Sequence, residues 1–222
     1  IVDSLAGLDP YTEEPVDGQI AKSARKVLHW TIPHQPPESD PSLGVEVATY
    51  DGVILVGDEL KDKLILVTGA DCTAVGIRGE LKSGEPFAAG IHAGRKGTLT
   101  GVIENTAKRL QFLGIDTKEA EVFIGPAAQD IELPLELIER EAGNDTSWRS
   151  FVSEPYATDS GIKVTYNNQL DTARRVCEQL GLDPSQVHIV DIDTVSDQRT
   201  HSYRRDVLPT RNSVIIGMKL AD

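Results

Sequence analysis

The stretch Thr68-Gly69-Ala70-Asp71-Cys72 follows a short apolar run, residues 64–67, whose Leu, Ile and Val content is typical of a β-strand. A second stretch, His92-Ala93-Gly94-Arg95-Lys96-Gly97, follows another apolar run at residues 86–91. Each predicted strand is therefore expected to end just before a reactive side chain. A thiol, a carboxylate and an imidazole at neighbouring strand ends form either a metal site or a thiol–imidazole catalytic pair. A buried structural cysteine and a histidine in a turn would explain the same residues without any chemistry.

The rest of the chain predicts an α+β fold, a single domain over residues 1–222 in which mixed β-sheets are flanked by helices. Apolar residues at helical spacing predict helices over residues 98–113, 134–142 and 168–180. Apolar and β-branched runs predict further strands over residues 26–32, 45–56, 74–77, 121–124, 187–192 and 213–220, with Asp51-Gly52 as a turn inside the second of these. Residues 1–18 are rich in Asp, Glu, Pro and Gly, which predicts an extended N-terminal arm.

The chain has 222 residues, a net charge of −13 and two cysteines, Cys72 and Cys177. An acidic protein repels phosphate backbones and anionic lipids, so neither nucleic acid nor a membrane surface is expected as a partner. A small phosphate-bearing substrate in a locally basic pocket is compatible with this charge. No apolar run reaches the ~18 residues of a membrane-spanning helix. Two cysteines argue against a disulfide framework and favour a reducing cytoplasm.

A zinc site built on Cys72 and His92 would need a third protein ligand, because zinc prefers four tetrahedral ligands and a catalytic site keeps one position for water. The candidates are the other four histidines. His34 lies in a loop with four prolines between residues 33 and 41, which leaves it free to reach the site. His29 and His188 fall in predicted strands, where structural roles are expected. His201 lies beside a basic segment and is a candidate on chemistry alone.

The segment Tyr203-Arg204-Arg205-Asp206 places two arginines together in an otherwise acidic chain. One interpretation is a salt-bridged or solvated charge cluster. The other is that one arginine pairs with Asp206 while its neighbour binds an anionic substrate through two parallel hydrogen bonds.

Four motifs, in order along the chain, resemble those of the polyphenol-oxidase (laccase-domain) family, whose members are described as purine nucleoside phosphorylases. The motifs are Gly69-Ala70-Asp71-Cys72, His92-Ala93-Gly94-Arg95-Lys96-Gly97, Gly125-Pro126-Ala127 and His201-Ser202-Tyr203-Arg204-Arg205-Asp206. The resemblance covers roughly residues 45–220. It implies a fold related to other Cys-His proteins, including hydrolases and deamidases. It also implies phosphorolysis of adenosine, inosine and methylthioadenosine, with adenosine deamination as a side activity.

The same resemblance implies a zinc ion held by His34, Cys72 and His92. Two histidines and one cysteine are too few for a multicopper cluster, so copper is not the expected metal. Asp71 is expected to carry a proton beside Cys72 and His92 in the catalytic site.

Phosphate is expected to be held by basic side chains that match the family motifs. They are Lys96, Arg204 and Arg205, and Arg205 is also expected among the catalytic residues.

The sequence departs from the family pattern at several points. The family's Trp-Arg pair is Arg95-Lys96 here, and its late Cys-Thr-x-Cys segment is Asp193-Thr194-Val195-Ser196. These differences predict an altered substrate preference and leave two alternatives open. One is a metal-free hydrolase or deamidase in which Cys72 is the nucleophile and His92 its base. The other is a non-enzymatic relative that keeps the fold with an eroded site.

Overall fold

A computed structural model describes residues 27–30, 51–61, 65–207 and 211–216 of the chain. The strands in these ranges are β1 (Val27–Trp30), β2 (Gly52–Val56), β3 (Ile65–Gly69), β4 (Thr73–Glu80), β5 (Pro86–Ala93), β6 (Glu121–Ile124), β7 (Ile131–Pro134), β8 (Tyr156–Thr158), β9 (Gly161–Tyr166), β10 (Val187–Ile189) and β11 (Asn212–Ile216). The α-helices are α1 (Arg95–Leu99), α2 (Val102–Leu113), α3 (Leu135–Ala142), α4 (Asn168–Leu180) and α5 (Tyr203–Asp206). None of these helices is long and apolar enough to cross a lipid bilayer. The predicted arm at residues 1–18 and the loop around His34 lie outside the described residues.

The central element is a six-stranded sheet in the order β1-β2-β5-β4-β6-β10. Its neighbouring strands are antiparallel apart from β6 and β10, which run parallel. Two smaller antiparallel sheets, β3 with β11 and β7-β9-β8, accompany it. The predicted α+β fold with mixed sheets flanked by helices is therefore confirmed.

Helices α2 and α4 pack together and cover one face of the central sheet. Both bury an apolar stripe at helical spacing, with Val102, Ile103 and Leu110 on α2 and Val176 and Leu180 on α4. The helix predicted over residues 98–113 is in fact two helices. The backbone of Gly101 has φ 98°, a left-handed conformation that ends α1 and lets α2 start in a new direction.

The two-stranded β3–β11 sheet packs against the opposite face of the central sheet, at positions where β4 and β5 have glycine. Gly76 and Gly90 are register partners at the middle of β4 and β5. A Cβ atom on Gly90 would lie 2.5 Å from the side chain of Ile65, and one on Gly76 would lie 2.5 Å from that of Ile216. The missing side chains thus allow β3 to pack directly over β5. This packing brings the end of β3 to the part of β5 that bears His92.

The sheet β7-β9-β8 was missed by the sequence prediction. It packs with α3 around a separate core that includes Val164, Tyr166 and Trp148, all 1% exposed or less. Two of its strands have three or four residues, and β8 alternates half-buried and exposed positions without a strong apolar signal.

A buried ion-pair network joins α4 to its surroundings. Asp171 is fully buried, and its carboxylate accepts hydrogen bonds from Arg175 Nε at 3.0 Å and from the Tyr166 hydroxyl at 2.6 Å. Arg175 also pairs with Glu104 at 2.7 Å and with Asp145. Burial beside the Asp171 carboxylate raises the pKa of Tyr166, so its hydroxyl remains a proton donor in this network.

Candidate functional site

Cys72 lies in the tight turn between β3 and β4, where it is half-buried. The turn needs glycine at its start, because a Cβ atom on Gly69 would lie 2.7 Å from the Cys72 carbonyl oxygen. Hydrogen bonds from later segments hold the turn in place. Ala128 N donates to the Asp71 carbonyl at 2.9 Å, and Asn212 Nδ2 donates to the Ala70 carbonyl at 3.0 Å. The thiol is thus presented by a fixed backbone.

His92 lies inside β5, not beyond its end as the sequence predicted, because β5 continues to Ala93. Its Nδ1–H donates to Asp51 Oδ1 at 2.9 Å, and the Cys72 side chain adjoins the same imidazole. Gly94 leaves room for this contact, since a Cβ atom there would lie 3.0 Å from Cys72 Sγ. The three side chains therefore lie in the order Asp51, His92, Cys72, with the imidazole between the carboxylate and the thiol.

This arrangement raises the pKa of His92 to about 10, mainly through the hydrogen bond to Asp51 and secondarily through Cys72, with burial acting in the opposite direction. In the metal-free protein the imidazole is therefore positively charged near neutral pH. Asp51 was read from the sequence only as part of a turn. Its partnership with His92 depends on the pairing of β2 with β5, which sets Gly52 opposite Ile91.

We expect the Asp51→Asn variant to lower the pKa of His92 from about 10 toward the ordinary value of 6.5, because the neutral amide removes the charged acceptor that stabilises the imidazolium. The measurement is an NMR titration of the histidine ring signals in metal-free protein. Asp58→Asn, at an exposed position in the turn after β2, is the matched control. An unchanged His92 titration in Asp51→Asn would show that Cys72 or another group sets this pKa.

Asp71 connects the cysteine turn to the segment that contains Arg204. Its carboxylate accepts a hydrogen bond from the Thr194 hydroxyl at 2.8 Å and another from the Arg204 backbone N–H at 2.8 Å. Both carboxylate oxygens are thus engaged by protein groups. This geometry gives Asp71 a positioning role in addition to the proton-carrying role predicted for it.

Arg205 does not have the surroundings expected of a phosphate-binding or catalytic residue. Its guanidinium forms two hydrogen bonds of 2.7 Å with the Asp206 carboxylate. The remaining donors meet backbone carbonyls of the preceding loop, those of Thr194, Val195, Asp197 and Thr200. Because its donors are used in this way, Arg205 holds the loop in shape. We therefore correct the prediction for Arg205 and keep Arg204 as the anion-binding candidate of this motif.

Two cavities meet at the Cys72–His92 pair. The larger measures about 970 Å³ and has an apolar wall that includes Leu66, Tyr203 and Val207. The smaller measures about 310 Å³ and is lined on one side by Lys96 and by Ile131 and Leu133. Both cavities are lined by Asp51, Asp71, Cys72, His92 and Arg204.

The structure thus brings together five of the predicted site residues, Asp71, Cys72, His92, Lys96 and Arg204. Across residues 51–61, 65–207 and 211–216, no group of three His, Cys, Asp or Glu side chains is arranged to hold a metal. His188, one of the alternative ligands, stacks on Phe123 with the ring centroids 5.0 Å apart. His34, the predicted third ligand, lies outside the described residues.

Comparison with known proteins places the chain among related sequences and folds. A family model described as multi-copper polyphenol oxidoreductase laccase matches residues 25–219. No curated protein matches the chain.

Solved structures with a similar fold include the following three. The hypothetical protein YfiH of Bacillus licheniformis aligns with a TM-score of 0.66 and 18% identity, covering 90% of this chain and 79% of that one. YlmD of Geobacillus stearothermophilus aligns with a TM-score of 0.60 and 20% identity, covering 80% of this chain and 64% of that one. A Neisseria meningitidis protein of family DUF152 aligns with a TM-score of 0.58 and 24% identity, covering 76% of this chain and 64% of that one. The chain thus spans less than two thirds of the length of the latter two proteins. At these sequence identities the similarity establishes a shared fold only.

Proposed function

Since the chain belongs to the multi-copper polyphenol oxidoreductase laccase family, we propose that it is a purine nucleoside phosphorylase. Its proposed substrates are adenosine, inosine and methylthioadenosine with phosphate, and adenosine deamination is a proposed side activity. The supporting observation is that Cys72 and His92 lie where a large, partly apolar cavity meets a smaller one bordered by Lys96 and Arg204. A volume of about 970 Å³ suits a nucleoside-sized ligand.

The side chains present fit part of a zinc site. A thiolate and an imidazole are ligands that zinc prefers, and Asp51 at Nδ1 of His92 is the carboxylate that commonly orients a zinc-binding histidine. We propose His34 as the third ligand. Two histidines and one cysteine are too few for a multicopper cluster, which is why we propose zinc although the family's name refers to copper. A bound zinc ion would supply Lewis-acid polarisation.

The basic side chains at the smaller cavity would bind the phosphate. Arg204 can bind two oxygens at once, and Lys96 adds a point charge. Held there, a phosphate oxygen forms a bond to the anomeric carbon of the ribose as the bond from that carbon to the purine nitrogen breaks. The purine leaves with the electron pair and takes up a proton. Asp71 supports this step by fixing the Arg204 backbone through its 2.8 Å hydrogen bond.

The proposal is tested by incubating the protein with each nucleoside, with and without phosphate, after purification through a tag that does not bind metal. We expect free base and ribose 1-phosphate to form only when phosphate is present, and about one zinc per chain. Arg204→Ala should raise the KM for phosphate ~10- to 100-fold, since a hydrogen bond to a charged group contributes ~1.5–3 kcal/mol.

Arg199→Ala is the matched control for Arg204→Ala, because Arg199 is a largely exposed arginine whose side chain pairs with Asp197. Its phosphate KM should stay at the wild-type value. Absence of phosphorolysis for all three nucleosides, with zinc and phosphate supplied, would contradict the proposed function.

A metal-free thiol hydrolase or deamidase is the second candidate. The order Asp51, His92, Cys72 favours it, because a carboxylate that orients an imidazole beside a thiol is the arrangement of cysteine hydrolases. Here Cys72 would attack an amide carbonyl and His92 would protonate the leaving ammonia. Protein without bound metal, together with loss of amide hydrolysis after alkylation of Cys72, would favour this candidate over the phosphorylase.

A further inference from the structure

Asn168, the first residue of α4, has a fixed side-chain orientation. Its Nδ2 donates to the Ala93 carbonyl at 2.7 Å and to the Thr73 hydroxyl at 2.9 Å. A carbonyl oxygen can only accept a hydrogen bond, so the amide nitrogen must face Ala93. The amide oxygen Oδ1 therefore points away from these partners.

This oxygen is unusual because it is buried without a hydrogen-bond partner in the described part of the chain. Asn168 as a whole is 2% exposed, and it lines the smaller cavity beside Cys72 and His92. Leaving a buried acceptor unpaired costs free energy that an apolar residue of similar size would avoid. An unpaired buried acceptor at a ligand cavity is accounted for if the ligand supplies the donor.

The carboxylates at this cavity already have partners. Asp51 accepts from His92 through Oδ1, and Asp71 accepts from Thr194 and from the Arg204 backbone through its two oxygens. Among the described residues that line the cavity, Asn168 Oδ1 is the buried side-chain oxygen without a partner.

We propose that Asn168 Oδ1 accepts a hydrogen bond from a hydroxyl group of the substrate's ribose, so that Asn168 determines specificity for the sugar. The inference rests on the proposed phosphorylase function. With the base in the larger cavity and phosphate at Lys96 and Arg204, the ribose lies between them. Its 2′- or 3′-hydroxyl then borders the smaller cavity, next to Asn168.

The test compares kcat/KM for adenosine, 2′-deoxyadenosine and 3′-deoxyadenosine, each with phosphate, in the holoenzyme. We expect the wild type to disfavour one deoxynucleoside ~10- to 100-fold or more, because that substrate leaves the buried acceptor unpaired. In Asn168→Leu, kcat/KM for adenosine should fall. The ratio of kcat/KM for adenosine to kcat/KM for that deoxynucleoside should decrease toward one. Asn168→Ala provides the same comparison if the leucine variant does not fold.

Thr73→Val is the matched control. It removes one of the two hydrogen bonds that hold the Asn168 amide but keeps Oδ1. The ratio of kcat/KM between adenosine and the deoxynucleoside should therefore stay at its wild-type value.

Two results would overturn the inference while leaving the phosphorylase function standing. One is equal kcat/KM for all three nucleosides in the wild type. The other is an equal loss of kcat/KM for all three in the Asn168 variants, so that those variants retain the wild-type ratio. A wild-type enzyme that does not phosphorolyse adenosine would overturn the proposed function and this inference with it.

Discussion

The Cys72→Ala variant is expected to lose turnover by at least ~10³-fold while it keeps the wild-type fold. Cys72 takes part in both candidate mechanisms, as a proposed metal ligand in one and as the nucleophile in the other, and residues that act as a catalytic unit lose most activity when one is removed. The fold should persist because Cys72 is half-buried in a turn and belongs to none of the hydrophobic core clusters. The measurement is kcat/KM for adenosine with phosphate, together with thermal unfolding.

The second cysteine provides the control for this experiment. Cys177 lies on α4, and its thiol donates to the Leu182 carbonyl at 3.1 Å, a contact that a serine hydroxyl can replace. Cys177→Ser should therefore turn over substrate like the wild type. Retained turnover in Cys72→Ala would contradict both the phosphorylase and the thiol hydrolase, and it would leave the non-enzymatic relative as the favoured interpretation.

The Arg175→Met variant should be destabilised by ~3–5 kcal/mol in its free energy of unfolding. Removing the guanidinium takes a 3.0 Å partner from the fully buried Asp171, which keeps Arg174 at 2.8 Å, and it takes the cation from Asp145. Breaking a buried ion-pair network by removing its central cation is strongly destabilising. The substitution also separates α4 from Glu104 on α2. The measurement is urea unfolding followed by circular dichroism, with the slope against urea checked for two-state behaviour.

Two further variants locate the cause of this loss. Arg149→Met removes an exposed pair with Glu139, 57% and 47% exposed, and should change stability by less than ~1 kcal/mol. Adding Asp171→Asn to Arg175→Met should recover part of the lost stability, because it removes one of the carboxylates that Arg175 neutralised. A loss below ~1 kcal/mol in Arg175→Met itself would show that Arg174 is a sufficient cation for Asp171.

The strongly patterned elements were predictable from sequence. The helix predicted over residues 168–180 is observed as Asn168–Leu180, because its apolar stripe is regular and Gly181 ends it. The break at Gly101 was missed, since an isolated glycine in an apolar helical pattern does not reveal its backbone conformation. Short strands such as Tyr156–Thr158 were missed because three half-exposed residues carry no clear periodicity.

The site residues that lie in recognisable motifs could likewise be predicted, whereas contacts between distant segments could not. Asp71, Cys72 and His92 could be predicted to meet because each lies within a recognisable motif. The pairing of His92 with Asp51, 41 residues earlier, could not, since it depends on strand register. The hydrogen bonds of Arg205 to backbone carbonyls and the unpaired oxygen of Asn168 likewise arise only when separate segments are packed together.

The hydrogen bonds that hold the cysteine turn come from late in the chain. Thr194 and Arg204 follow Asp71 by 123 and 133 positions, and Asn212 follows Ala70 by 142. Contacts of such sequence separation require long loop closures and tend to form late in folding. The central sheet and its helices can therefore assemble while the cleft is still incomplete. During synthesis Cys72 is therefore made well before Thr194, Arg204 and Asn212, the residues that hold its turn.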